Sequence, residues 1–220
     1  MSDDNTAARD QWPAYRVGNP DYIHALGAIS SIFNKLEFSF RKLFPLYVRL
    51  PLSAAYQLFA ESTNERRLNL MRECVDYSNH PDTIKDDGRY FIACYKTCAE
   101  NRNVLLHSTV YFIFGPGDIP CPSLSPLGFQ PKGVGFQKFA RGDPFRINTY
   151  ELSIEELRRH ADDLNALVIY GDCMYWHILK NYEPAWYSTW GFPEAAQHAL
   201  PSKPAPPNLL IAIPRGIEPE

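Results

Sequence analysis

Residues 98 to 108, CAENRNVLLHS, place a guanidinium, an amide and an imidazole within six positions: Arg102, Asn103 and His107. On a helix turning about 100° per residue, Asn103 and His107 stand one turn apart on one face, and Arg102 lies on its flank, about 140° from His107. Arg is long enough to curl back part of the way, and a site drawn on these partly overlapping faces suits completion by a second copy of the chain. Such a trio fits phosphodiester chemistry. An imidazole can take the proton from a ribose 2′-hydroxyl or give one to the departing 5′-oxygen. Arg can clamp the phosphate as charge builds on its non-bridging oxygens, and Asn can orient either group. The 2′-hydroxyl is already held beside the phosphorus, so the chemistry requires neither a metal nor a protein nucleophile. The plainer reading is a helix end, where Arg and His satisfy last-turn carbonyls and the dipole.

Other residues extend or compete with this reading. Glu37 can support the site as a further acid or as a partner of Arg102, although an exposed pair with Arg41 one turn on is the simpler expectation. Lys132, Lys138, Arg141 and Arg146 outnumber Asp118 and Asp143 in the segment that follows, a charge balance able to guide RNA. Cys94 and Cys98, like Cys173 and His177, are spaced i,i+4; small thiols filling a helical core explain this more simply than zinc does, and no metal is assigned. His24, His80, His160 and His198 show no partner in the sequence and read as surface or loop residues. Trp186 and Trp190 read as cover for an edge of the core rather than as base-stacking platforms. Phosphate-loop, dinucleotide, nucleophile-elbow and zincin motifs are absent, which argues against those enzyme classes and implies no cofactor.

The elements that must hold these residues are mainly helices. Leu26, Ile29, Phe33, Leu36, Phe40 and Leu43 alternate by threes and fours, predicting a helix over about 20 to 44, opened by Asn19-Pro20-Asp21 and stopped by Pro45. A second stretch follows Pro51. Ser62 and Glu65 have the spacing of a capping box and predict a break and restart into Leu68, Met71, Cys74 and Val75. After a loop at 78 to 83, a third main helix is expected over about 84 to 108, with Asp86-Asp87-Gly88 loosening its first turn. From residue 109 the chain turns β-branched and aromatic, and residues 115 to 148 hold six of the 12 glycines and six of the 19 prolines. A small β-hairpin is expected there, with strands over 134 to 140 and 145 to 149. Ser153 and Glu156 form another capping box before Leu157, Ala161, Leu164, Val168, Gly171, Tyr175 and Ile178, the stripe of a last helix ending near Asn181. The fold expected is all-α: a four- to five-helix up-and-down bundle over 19–192, with a β insert at 109–149, a flexible tail at 1–18 and an extended or disordered proline-rich tail at 193–220.

The pattern Arg102-Asn103-x-x-x-His107 at the end of the third main helix resembles the R-x4-6-H motif of the HEPN superfamily (higher eukaryotes and prokaryotes nucleotide-binding). Asn103 supplies the polar residue that the family shows directly after the Arg. The first helix around Ile32-Phe33-Asn34-Lys35-Leu36-Glu37 and the capped helix from Ser153 resemble the first and last helices of bacterial members, so the likeness spans about 20 to 108 and 150 to 180. It implies a helical homodimer with the two motifs facing each other. It also implies a metal-independent endoribonuclease that leaves 2′,3′-cyclic phosphate and 5′-hydroxyl ends, with Arg102, Asn103 and His107 in the roles given above. Other members are inactive modules that bind RNA or nucleotides, and some serve toxin–antitoxin or phage-defence systems. Members paired with nucleotidyltransferase antitoxins carry Tyr two residues after the His; here Thr109 stands there, and Tyr111 lies four residues on.

Length and charge bound these readings. A chain of 220 residues with 45% hydrophobic residues and a net charge of −3 fits one soluble domain with tails. A slightly acidic chain is a poor non-specific nucleic-acid binder, so an RNA role must come from a local site. No stretch approaches the roughly 20 apolar residues of a membrane span. The start, MSDDNTAARD, has no signal-peptide pattern, and five cysteines suggest reduced thiols, so a cytoplasmic protein without membrane contact is expected. Two alternatives differ in class from a nuclease. One is a non-catalytic module binding RNA, a nucleotide or a protein partner, an antitoxin included, through the same groove. The other is a structural bundle whose proline-rich tail docks to a partner.

Overall fold

The computed structural model describes residues 20–113, 133–140, 143–183 and 200–212. In chain order it has α1 (Pro20–Val48), α2 (Leu52–Glu61), α3 (Asn64–Tyr77) and α4 (Asp82–His107). Three strands follow, β1 (Thr109–Ile113), β2 (Gly133–Ala140) and β3 (Asp143–Leu152), and then α5 (Ile154–Tyr182). Asn19 and residues 1–18 lie outside this description.

Contacts between the helices give an up-and-down bundle. Phe33 and Phe40 of α1 meet Tyr95 of α4, and Phe40 also meets Phe91, so these helices are antiparallel. Lys42 pairs with Asp172 and Arg49 with Glu183, so α5 runs parallel to α1, and α4 runs opposite to both. The apolar stripe of α1 is the core: Ile29, Phe33, Leu36, Phe40 and Leu43 are buried and Leu26 packs against them. Pro45, expected just beyond α1, lies inside it. A proline removes one N–H from the helix, but Leu46 and Tyr47 beyond it are buried, and this favours continuing the helix. The chain breaks only at Arg49, which turns to φ 53° while its N–H bonds to the Pro45 carbonyl.

The restart after α2 occurs where expected, but on a different cap. Thr63 accepts from the Arg66 N–H at 3.3 Å and caps α3, while the buried Ser62 closes α2. At α5 the Ser153 box forms in full, with Ser153 Oγ accepting from the Glu156 N–H and the Glu156 carboxylate accepting from the Ser153 N–H. α4 begins cleanly at Asp82 and is not loosened by Gly88. A Cβ there would lie 2.9 Å from Tyr47 Oη and 3.1 Å from Val75, so this glycine admits its neighbours closely. Gly171 of α5 is tighter still, because a Cβ would stand 2.5 Å from Phe91 Cε2 and 3.3 Å from Ser39 Cβ. Beside it, Ser39 Oγ and Lys42 Nζ both donate to Asp172 Oδ1, at 2.6 and 2.7 Å.

The β insert has three strands rather than two. β1 pairs with β2 through Val110 and Phe136, and β2 pairs with β3 through Phe136 and Tyr150, all antiparallel in the order β1-β2-β3. The third strand forms because residues directly after α4 find partners in β2, whose Val134 and Phe136 are buried in the bundle core. Pro144 is accommodated because β3 is an edge strand. Past α5, residues 200–212 form neither helix nor strand and lie against α4. No helix among the described residues is long and apolar enough to cross a membrane.

Two histidines expected at the surface or in loops are buried, His80 within the loop between α3 and α4 and His160 on a helix. His80 is 5% exposed, edge-on to the rings of Tyr47 and Tyr182, and His160 is 6% exposed on the inner face of α5. Both are held below the usual imidazole range by burial, His160 down to about 4. His160 Nε2 has no hydrogen-bond partner among the described residues. His24 is exposed, and His198 lies outside the description.

Two outcomes are expected in urea melts. Gly171→Ala should lose about 1–2 kcal/mol, because overpacking against Phe91 outweighs the gain in helix propensity. His160 stays neutral in the fold down to about pH 4, whereas the unfolded chain protonates it near 6.5. Its contribution is therefore complete above pH 6.5 and is lost as pH falls toward 4, on the order of 3 kcal/mol. The stability of His160→Gln should vary less with pH across that window; an unchanged slope would assign the pH dependence elsewhere.

Candidate functional site

Arg102, Asn103 and His107 belong to the last turns of α4, which ends at His107 as the chain passes through an extended Ser108 into β1. Helical geometry alone leaves Arg102 about 140° from His107, and a third element closes that gap. The Arg102 guanidinium carbon sits over the Phe33 ring of α1, 5.5 Å from its centroid, a cation–π contact that holds the stem down and turns the fork outward. From there Nη1 reaches Asn103 Oδ1 at 3.3 Å and His107 Nε2 at 3.2 Å. Arg102 is half-buried, and Asn103 and His107 are exposed, so one guanidinium nitrogen bridges amide and imidazole at the surface. Its Nε is buried with no partner among the described residues.

The contact constrains the imidazole. A guanidinium can only donate, so His107 Nε2 must accept, and in this arrangement the ring is neutral with its proton on Nδ1. The basic atom of the ring therefore lies beside a cation, in a geometry where a phosphate oxygen could replace one of the two as partner of the other.

The β insert contributes a second cation. Lys138 Nζ of β2 donates to the Asn103 carbonyl at 3.0 Å, tying the sheet to the turn that carries the motif. Arg146 belongs to β3, its side chain outside the description, and Lys132 and Arg141 also lie outside it, as do Trp186 and Trp190. Phe33 is the positioning residue that the sequence shows only as one member of an apolar stripe, and nothing in its spacing distinguishes it from Phe40.

The supporting pair Glu37 and Arg41 separates. Glu37 accepts from Arg67 Nη1 of α3 at 3.1 Å, and Arg67 Nε also donates to the Phe59 carbonyl at 2.6 Å. Arg41 instead lies over the Tyr56 ring, 4.6 Å from its centroid. The pairing follows from tertiary packing: α3 runs beside α1 and offers a cation already held over Phe59, 4.1 Å from the ring centroid. Tyr95, in the same neighbourhood, is raised by burial and then by Glu37, against the pull of Arg67 and Arg102, so its phenol stays protonated.

Cys94 and Cys98 are buried free thiols, and burial pushes Cys98 up to about 12, too high for a nucleophile. Among the described residues no three His, Cys, Asp or Glu side chains gather as a metal site. A shallow cleft of about 590 Å³ lies between α2 and α3, bordered by Leu58, Arg66 and Glu73, and none of the three motif residues lines it. The three motif residues are presented on surface, which suits a long polymer better than a small enclosed molecule. No protein-family model, no curated protein and no solved structure matches the chain.

The arrangement makes a spectroscopic prediction. Long-range proton–nitrogen correlation at pH 8 should find His107 as the Nδ1–H tautomer, and Arg102→Ala should release the ring into a mixture. An Nε2–H tautomer in the unaltered protein would contradict the bridge.

Proposed function

We propose that the chain is a HEPN-like, metal-independent endoribonuclease working as a homodimer. The observation that carries this reading is the convergence of Arg102 Nη1 on His107 Nε2 and Asn103 Oδ1. An RNA phosphate reaching this surface meets the guanidinium first and draws it from the imidazole by a charge-assisted, bidentate contact. The freed Nε2 is a neutral base, and it takes the proton of the neighbouring 2′-hydroxyl. The 2′-oxygen then bonds to phosphorus and the bond to the 5′-oxygen breaks. That oxygen collects a proton from an imidazolium, either the same ring or the facing one of a second copy. The products are a 2′,3′-cyclic phosphate and a 5′-hydroxyl. Arg102 neutralises charge on the non-bridging oxygens, and Asn103 keeps the guanidinium aligned.

Lys138 supports the same reading, since its ammonium lies beside the motif where an approaching backbone would pass. A dimer would double these cations along one strand of RNA. Such local charge is what a chain of net charge −3 needs to hold a polyanion.

One observation favours a second reading. In the single chain Arg102 Nη1 is already paired with His107 and Asn103, as it would be in a binding module where His107 only orients the cation. Toxin, phage-defence and RNA-processing settings are compatible with either reading.

Total RNA incubated with purified protein and excess chelator separates the two. Cleavage by the unaltered chain leaving cyclic phosphate ends, reduced about 10²- to 10⁴-fold by His107→Ala, is the expected result. Arg102→Ala should lose both cleavage and binding. Intact RNA with all variants, together with binding that needs Arg102 and tolerates His107→Ala, would replace the nuclease with a binding module.

A further inference from the structure

The proline-rich stretch at 200–212 lies on the bundle as a ligand lies on a receptor. Lys203 Nζ stands 3.1 Å from Asp87 Oδ1, and the Tyr90 hydroxyl donates to the Pro204 carbonyl. Farther on, Asn101 Nδ2 donates to the Asn208 carbonyl at 2.8 Å, and Asn101 Oδ1 accepts from the Leu210 N–H at 2.9 Å. The stretch therefore runs along α4 in the same direction. Seven residue steps of the tail, 203 to 210, match fourteen of the helix, 87 to 101. At about 3.1 Å per residue for a polyproline II chain and about 1.5 Å for a helix, the two lengths agree at roughly 21 to 22 Å.

The pattern of burial has the same origin. Pro204, Pro207 and Leu210 are half-buried, and the residues between them are exposed. A contact every third residue is what a helix of three residues per turn presents to one side. Asn101 is fully buried, and both ends of its amide go to the tail backbone. A buried amide is costly unless it is paired, so this side chain is suited to its place only with an extended chain beside it. Tyr90 adds an aromatic wall, edge-on to Tyr170 of α5, with Lys203 Nζ 5.5 Å from its centroid.

We propose that this face of α4, from Asp87 to Asn101 and flanked by Tyr170, is a binding site for an extended, proline-containing peptide segment with a cation at its start. Residues 200–212 are its built-in ligand. The amide of Asn101 reads backbone, Pro204, Pro207 and Leu210 at every third position lie against the helix, and Asp87 with the Tyr90 ring selects the cation. A connection of 16 residues, 184 to 199, holds the ligand at a local concentration on the order of millimolar. A segment from another molecule therefore competes only when the tail is undocked or severed. This assignment stands apart from the RNA chemistry of Arg102 and His107.

The test keeps the whole chain through folding. A protease recognition sequence placed within residues 187–196 allows the purified full-length protein to be cut afterwards. The severed tail should co-elute with the bundle in size-exclusion chromatography at tens of micromolar and be displaced by excess synthetic peptide covering 200–212. Asn101→Ala should weaken retention about tenfold or more. Lys203→Glu, on which no helix depends, should weaken it at least about threefold and most strongly at low salt. In the uncut protein, the Leu210 amide should exchange at least about tenfold more slowly than that of Ile211. A tail that separates at once, with a Leu210 amide exchanging as in the free peptide, would overturn the proposal. So would retention indifferent to both substitutions.

Discussion

The close approach of Phe91 to Gly171 is the constraint on which the rest of the structure hangs. At that level α1, α4 and α5 meet with no room for a side chain on α5, and Ser39, Lys42 and Asp172 fasten α1 to α5 alongside. Once Phe91 is seated, the height and rotation of α4 are set. Three turns farther along, Asn101 faces the tail and Arg102 faces Phe33 because a helix advances about 100° per residue.

Helix α4 is therefore shared among several neighbours. α1 meets it through Phe33 and Phe40, α3 through the pairing of Arg89 with Asp76, α5 through Gly171, β2 through Lys138 and the tail through Asn101. Its polar residues are paired according to which neighbour they face. Asp87 accepts from Tyr170 as well as from Lys203, and Tyr95 donates to Asn64 of α3. Pairs within the helix, Arg89 with Asp86 and Lys96 with Glu100, lie on its exposed face, and at its C-terminal end Arg102 turns to Asn103 and His107, the candidate site.

The bridge between Arg102 and His107 depends on an aromatic ring from another helix. Without Phe33 a long Arg samples many rotamers, and a surface contact with an exposed imidazole contributes little. Over Phe33 the stem is partly desolvated and the fork is aimed, so less freedom would remain to be lost if an anion bound there. The sheet meets the same turn through Lys138, whose ammonium donates to the Asn103 carbonyl.

What the sequence determined by itself was local. Threes-and-fours spacing marked the helical stripes, Ser153 and Glu156 marked the start of α5, and Arg102, Asn103 and His107 were legible as neighbours on one helix end, because each depends on residues within a turn or two. The tertiary structure decided everything that depends on which element lies opposite. Arg67, thirty residues along the chain, took Glu37 from Arg41; burial of Leu46 and Tyr47 kept Pro45 inside α1; packing buried His80 and His160; and residues after α4 became a third strand. The tail was legible from its prolines only as extended or disordered, and its place on α4 was not legible, because one buried asparagine more than a hundred residues away fixes it. Spacing sets the angle at which a side chain leaves its helix, and only the folded chain sets what that side chain meets.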